Sequence, residues 1–392
     1  MSESTNEKNM SEKIKETQNS NKSPGKNINT FSQRIRMLEP WKRKKILTWF
    51  LFFGIVGIVY LSVTGSILYK DKAAENSYWE SGLKDDVKNL ELASQYSANA
   101  TEVTVGTYIE NLKEVNVKSS YFRIVFNCWF KWEGDDDLDM ANNFRVYNGL
   151  MNKKEILEEV HEDGQHYQML RVDATVQKNY WIVRFPLESY QMRLYIEPNY
   201  AVDRITMKAD TEYSAVNQNL NITGFDLKRH AVSVYTMKYD STLGNPNVSV
   251  PVAQELCTSI EINRSGFGLF LKCFIALCGT ITWVFITLFL CTYHRVDPLG
   301  MIPAALFGTV TNIMVGANLL PDALQVGLLE YVTFGGIMVI IFCAISVINV
   351  NRIRNKNQDG ELAFLFGRVM FTTLLVITIA GIIMYPFVSY MR

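Results

Sequence analysis

Residues 295–322, RVDPLGMIPAALFGTVTNIMVGANLLPD, are long enough to cross a bilayer yet carry Thr309, Thr311, Asn312 and Asn318. Hydrocarbon offers a hydroxyl or an amide no partner, so such side chains turn towards other helices or towards water. The ends are marked as well. Asp297 before Pro298 suits an N-cap followed by a first-turn proline, and Leu320-Pro321-Asp322 suits a stop. Grouping residues three and four apart gives two faces. One runs Gly300, Ala304, Phe307, Thr311, Met314 and Asn318; the other runs Ala305, Thr309, Asn312 and Gly316. Five copies of the first face around an axis would form a pore with an acidic mouth at Asp297 and an apolar constriction at Phe307. The other reading is packing alone, in which small residues permit close approach and polar ones bond across to neighbouring helices.

The rest of the chain sets this helix in a larger plan. Its 392 residues are 48% hydrophobic with zero formal charge, but these averages conceal a partition into polar and very apolar blocks. Five apolar segments reach spanning length: 46–68, 267–293, 299–320, 328–350 and 365–390. Lys42-Arg43-Lys44-Lys45 before the first, His294-Arg295 after the second and Arg352, Arg354 and Lys356 after the fourth fall on one side of the membrane. By the positive-inside rule that side is cytoplasmic, which places the N-terminus inside and the C-terminus outside a plasma (inner) membrane.

Residues 1–45 are polar and read as a disordered cytoplasmic tail, 46–68 as an uncleaved transmembrane anchor, and 69–100 as a helical or linker segment. Residues 101–265 then alternate with period two. Val103, Val105, Thr107 and Ile109, and later Phe122, Ile124, Phe126 and Cys128, mark strands, with further ones expected over 166–176, 180–184, 192–196, 204–209, 230–239 and 250–263. Turn clusters at 134–137 and 244–247 separate some of them, the organisation of an antiparallel β-sandwich, here extracellular. Residues 266–392 form a four-helix bundle with short loops, and 298–320 is its candidate pore-lining member. Cys128 and Cys257 alone fall in the exterior domain; a domain of this size needs no staple, and both are expected free.

A sandwich of this length followed by four helices with a polar second member resembles the pentameric ligand-gated ion channels. Tyr121 to Trp132 with its acidic turn is similar to the family's second strand and W-x-D turn; Phe185-Pro186-Leu187-Glu188, then Tyr190, Met192, Leu194, Ile196 and Glu197, is similar to its F-P-F-D run. Arg264 occupies the place of the basic residue at the domain boundary, and Leu320-Pro321 matches the end of the pore helix. No cysteine pair flanks Phe185-Pro186, as in the prokaryotic form. The departures are Glu188 for aspartate, Tyr190 for glutamine, no arginine after the tryptophan turn, no proline in the second span, and the extra anchor helix.

The resemblance implies a homopentamer in the bilayer, gated by a small-molecule ligand or by protons and selective for cations. It implies a ligand pocket built from aromatic side chains, for which Trp129, Trp132, Tyr200, Tyr235 and Tyr239 are candidates; each could equally be sandwich core. It also implies that Pro186, Glu188 and Arg264 couple sheet to helix, where the alternative is a static ion pair. Asp297 would favour cations at the inner mouth. No glycine-rich phosphate loop or nucleophile motif is present, so no enzyme activity or cofactor is expected. His161 and His166 beside Glu158, Glu159, Glu162 and Asp163 read as an exposed acidic loop rather than a metal site, and nothing beyond the tail suggests nucleic acid. The rival function is a non-conducting receptor or assembly protein that binds a ligand or partner through the sandwich.

Overall fold

The computed structural model describes residues 31–85, 87–220, 222, 224–241, 252–321 and 325–390. Most of the expected tail, the 244–247 turn, the first residues of the 250–263 strand and Asp322 lie outside the described residues. Within the tail's described part, helix α1 (Phe31–Arg36) and the start of α2 (Pro40–Ser81) are ordered, because Phe31, Ile35 and Leu38 pack against the helix bundle. Then come α3 (Val87–Tyr96), ten strands, and helices α4 (Gly268–Tyr293), α5 (Ile302–Leu319), α6 (Leu328–Asn355) and α7 (Gly360–Tyr390). Among the described residues five helices, counting α5 with the 3-10 turn Leu299–Met301, are long and apolar enough to cross a membrane.

The strands are β1 (Thr101–Asn116), β2 (Tyr121–Glu133), β3 (Phe144–Val146), β4 (Gly149–Glu162), β5 (Gln165–Gln177), β6 (Ser189–Pro198), β7 (Ile205–Ala209), β8 (Ala215–Val216), β9 (Phe225–Lys238) and β10 (Val252–Arg264). One sheet runs β4-β5-β2-β1-β7, with β8 also on β1; the other runs β3-β6-β10-β9. Their inward residues, among them Phe126, Val172, Leu194 and Leu256, form one core, which continues into Cys273, Phe274 and Leu277 of α4. The sandwich is not purely antiparallel, since β7 and β8 both run parallel to β1. Residues 180–184, expected as a strand, form a loop and turn instead. β4 has no sequence signature because nearly all its residues are exposed, on both faces, so no apolar side alternates.

Residues 69–81 and 87–96 are helical, as expected, but the first of these is not a separate piece. α2 does not end at the membrane boundary; its 42 residues continue without a break to Ser81, about 63 Å at 1.5 Å per residue. Its lower part packs on α7 and α6, where Phe53 stacks on Phe342 at 4.3 Å. Its upper part presents Asp71, Glu75, Tyr78 and Gly82, three or four residues apart and hence on one face, to the outer side of the β6-β10-β9 sheet. Arg184, only 1% exposed, is the centre of that contact. Its Nε donates to Asp71 Oδ2 at 3.0 Å, its Nη2 to Glu75 Oε2, and its Nη1 to the Ser389 carbonyl at 3.3 Å. Lys72 pairs with Glu75 at 3.0 Å, Ser189 donates to Glu75 Oε1 at 2.8 Å and Trp181 to Asp71 Oδ1 at 2.5 Å. Further up, Arg193 lies 4.0 Å over the Tyr78 ring and Arg229 4.2 Å over Trp79.

A buried and a half-buried carboxylate around one guanidinium make removal of the cation expensive. Arg184→Ala should cost about 3–5 kcal/mol by leaving Asp71 and Glu75 uncompensated. Thermal unfolding of the purified protein in detergent reads this, and a midpoint unchanged from wild type would show that the network does not hold the helix.

Candidate functional site

The two faces of the polar helix are treated differently. Thr309 and Asn312 are buried, and Asn312 Nδ2 donates to Thr333 Oγ1 of α6 at 2.7 Å. A Cβ at Gly316 would collide with the Leu329 side chain. Ala305, Thr309, Asn312 and Gly316 therefore serve packing against neighbouring helices. The opposite face is open: Phe307 is 76% and Met314 61% exposed, and Gly300, Ala304, Thr311 and Asn318 are exposed with them. Asp297 does not cap the α-helix. It accepts from Leu299 N, the first residue of the 3-10 turn, at 3.3 Å, while Asn351 of α6 donates to it at 2.6 Å; α5 itself starts at Ile302, with Pro303 in its first turn.

Above this helix the sandwich and bundle meet at one loop. Arg264 Nε donates to Glu188 Oε1 at 3.1 Å, and the guanidinium sits among the rings of Phe185, Tyr190 and Phe225, closest to Phe225 at 4.3 Å. Tyr190 donates to the same Glu188 oxygen at 2.5 Å, while Glu188 Oε2 is buried without a partner. The Phe185-Pro186 peptide is cis. Val183 accepts from Leu328 N at 2.7 Å, an approach that requires Gly327, whose Cβ would lie 2.5 Å from that carbonyl. Lys118, between β1 and β2, donates to the Asn318 carbonyl at 3.3 Å. Residues 181–188 thus touch α2, α6, α7 and the strand leading into α4. Sequence patterning singled out Pro186, Glu188 and Arg264 here, and Tyr190 as a departure from the family's run, but not Arg184, Asp71 or Glu75; acidic residues four apart just past a span are the one available sign.

The aromatic candidates do not gather within one chain. Trp129 and Trp132 point to opposite faces of β2 by parity. Trp129 donates to Asp210 Oδ2 at 2.9 Å, whereas Trp132 stacks on His166 at 5.0 Å, donates to the Asp135 carbonyl and edges an open cleft of 880 Å³ with Thr104, Lys131 and Glu133. Tyr200 lies under the Arg204 guanidinium at 4.8 Å. Tyr235 is covered by the end of α2 and the turn after it, its hydroxyl donating to the Gly82 carbonyl, so the hydroxyl is already spent inside the chain. Tyr239 donates to Glu197 Oε1 at 2.6 Å, beside the Arg145–Glu197 pair at 3.0 Å. His161 and His166 share a 2.6 Å contact between their Nδ1 atoms, and among the described residues no group of three His, Cys, Asp or Glu is arranged to hold a metal ion. Cys128 and Cys257 are free and buried.

Beside Glu197 lies Glu255, 3% exposed, its Oε2 without a partner. Leu256 pairs with Ile196, so the next register position sets Glu255 opposite Glu197. Burial first, and the Glu197 charge second, push its carboxyl up to about 7 from an ordinary 4.5. A carboxyl raised on folding binds its proton more tightly in the native state. Its contribution is complete below pH 4.5 and is lost as pH rises through 7. Glu255→Gln should therefore stabilise the protein at pH 8 by up to roughly 3 kcal/mol and have little effect at pH 4. Melting curves of both proteins at the two pH values check this; an equal shift at both would detach the effect from Glu255 ionisation.

No protein-family model matches the chain, and a search of the curated proteins finds no relative.

Proposed function

We propose that the chain is the subunit of a homopentameric, ligand- or proton-gated cation channel in a prokaryotic inner membrane. α2 and α4–α7 cross the bilayer and the sandwich lies outside. The observation that carries the reading is the open face of α5: Gly300, Ala304, Phe307, Thr311, Met314 and Asn318 have no helix of their own chain over them, while the other face is packed and its Asn312 bonded. Five such faces around an axis enclose a pore whose narrowest apolar ring is Phe307 and whose inner carboxylates are Asp297. Asn351 holds Asp297 in place at that mouth.

Gating is carried by the loop at 181–188. A displacement of the sandwich is passed to α4 through Glu188–Arg264, to α6 through Val183–Leu328, and to the outer end of α5 through Lys118. Glu255, whose charge changes near neutral pH, is a candidate proton-responsive group in the same sandwich. The rival reading, a non-conducting receptor or assembly protein, draws on the coverage of Tyr235 by the segment after α2, which removes one expected ligand contact.

Recordings from purified pentamers in planar bilayers decide between them. Wild type should open in response to pH or small amines. Phe307→Ala should raise the open probability, and Asp297→Ala should bring the reversal potential in asymmetric salt towards zero. Silence from wild type and Phe307→Ala alike, in a preparation shown to be pentameric, would favour the receptor.

A further inference from the structure

The cytoplasmic ends of the helices carry a charge imbalance that ion pairing does not resolve. Over residues 31–45, 294–301 and 351–368 there are eleven lysines and arginines against four carboxylates. Those four are engaged: Glu39 and Asp359 with Lys42, Glu361 with Arg34, and Asp297 with Asn351. Arg354 is taken up by the Cys291 carbonyl. Two of the remaining cations come from different helices and are nonetheless held together. Lys45 of α2, half-buried, and Arg352 of α6, exposed, are set at the same level by the packing of those two helices.

Packing forces this meeting. α2 and α6 run antiparallel and touch where Phe53 stacks on Phe342. Lys45 lies eight residues before Phe53 and Arg352 ten after Phe342, about 12 and 15 Å along the two axes in the same direction. Ile46, Val350 and Ile353 are all buried in the bundle core at that end. Each cation adjoins the end of an apolar span, at the height of the headgroups. Directly above them, Phe52 on the Lys45 side of α2 and Ile348 and Ile341 on the Arg352 side of α6 are exposed, 48%, 51% and 49%. This combination, two cations at the foot of an exposed apolar strip, fits one ligand chemistry: an anionic phosphate with acyl chains attached.

We propose that Lys45 and Arg352 form a binding site for the phosphate of an anionic lipid, whose chains lie along the α2–α6 groove. The phosphate pairs with both cations and so clamps α2 to α6. A free phosphate would gain only the charge contact, whereas a lipid also covers Phe52 and Ile348. The proposal rests on the membrane-spanning reading but not on conduction.

Native mass spectrometry of the full-length protein, released from nanodiscs of equal phosphatidylglycerol and phosphatidylcholine, tests it. Wild type should retain phosphatidylglycerol preferentially. Lys45→Gln with Arg352→Gln should abolish that preference. Arg43→Gln with Lys44→Gln, the same charge change at exposed neighbours, should reduce it only slightly, and Lys45→Arg with Arg352→Lys should preserve it. Competition by millimolar glycerol phosphate should be weak. Equal losses from the two glutamine pairs would reduce the site to diffuse surface charge, and displacement by glycerol phosphate would show that the chains contribute nothing; either overturns the proposal. Because retention is read without current, a silent channel leaves this test intact.

Discussion

A guanidinium buried at 1% exposure is the constraint around which the molecule is arranged. Moving such a cation out of water costs several kcal/mol even after relaxation, and only well-placed anions and carbonyls offset it. Arg184 belongs to a sandwich loop, yet its partners come from elsewhere: Asp71 and Glu75 from the first long helix and the Ser389 carbonyl from the last. The charge requirement therefore brings together three parts of the chain separated by more than a hundred residues each. It also explains why α2 continues past the membrane. A helix ending near Leu68 would leave Arg184 without anions.

The same loop carries two kinds of contact that differ in tolerance. Around Arg184 the acids and bases nearly balance, since Lys72 adds a second cation to the second acid. Around Arg264 they do not: Glu188 keeps one oxygen without a partner, and the guanidinium is otherwise surrounded by aromatic rings. Rings attract a cation less strongly than a buried carboxylate does, and their attraction is insensitive to small shifts. A saturated network resists displacement, whereas an under-satisfied pair beside it can rearrange at lower cost. The loop is thus pinned on its α2 side and adjustable on its α4 side.

Much of this plan was legible in the sequence, and the reasons for the exceptions are physical. Spanning length and period-two alternation are strong local signals, so the five apolar helices and the long core strands β1, β2, β5 and β10 stand out. The face of α5 that packs was separable from the open one by spacing alone, although only the contact of Asn312 with Thr333 shows which is which. β4 has no apolar side and carries no such signal. The helical character of the extension was legible, but its unbroken continuation of α2 was not, because Lys70, Asp71, Lys72 and Glu75 give no reason to stay in line with the span until the buried Arg184 is known. Tyr235 looked available for the same reason: the segment that covers it lies about 150 residues earlier in the chain.

These long separations have a consequence for how the domains can move. α2 is tied by Arg34–Glu361 and Lys42–Asp359 at one end and by Asp71, Glu75 and Gly82 at the other. An unbroken helix transmits translation and tilt along its axis with little loss, since bending it breaks the ladder of backbone hydrogen bonds. The lower ties are ion pairs within reach of solvent, which screens them, whereas the upper ones centre on the buried Arg184 and Glu75 and are stronger. A load on α2 therefore gives way first at the end that carries Lys42. α2 is thus held more firmly to the sandwich than to the far end of the bundle, where its ties are those of Arg34 and Lys42.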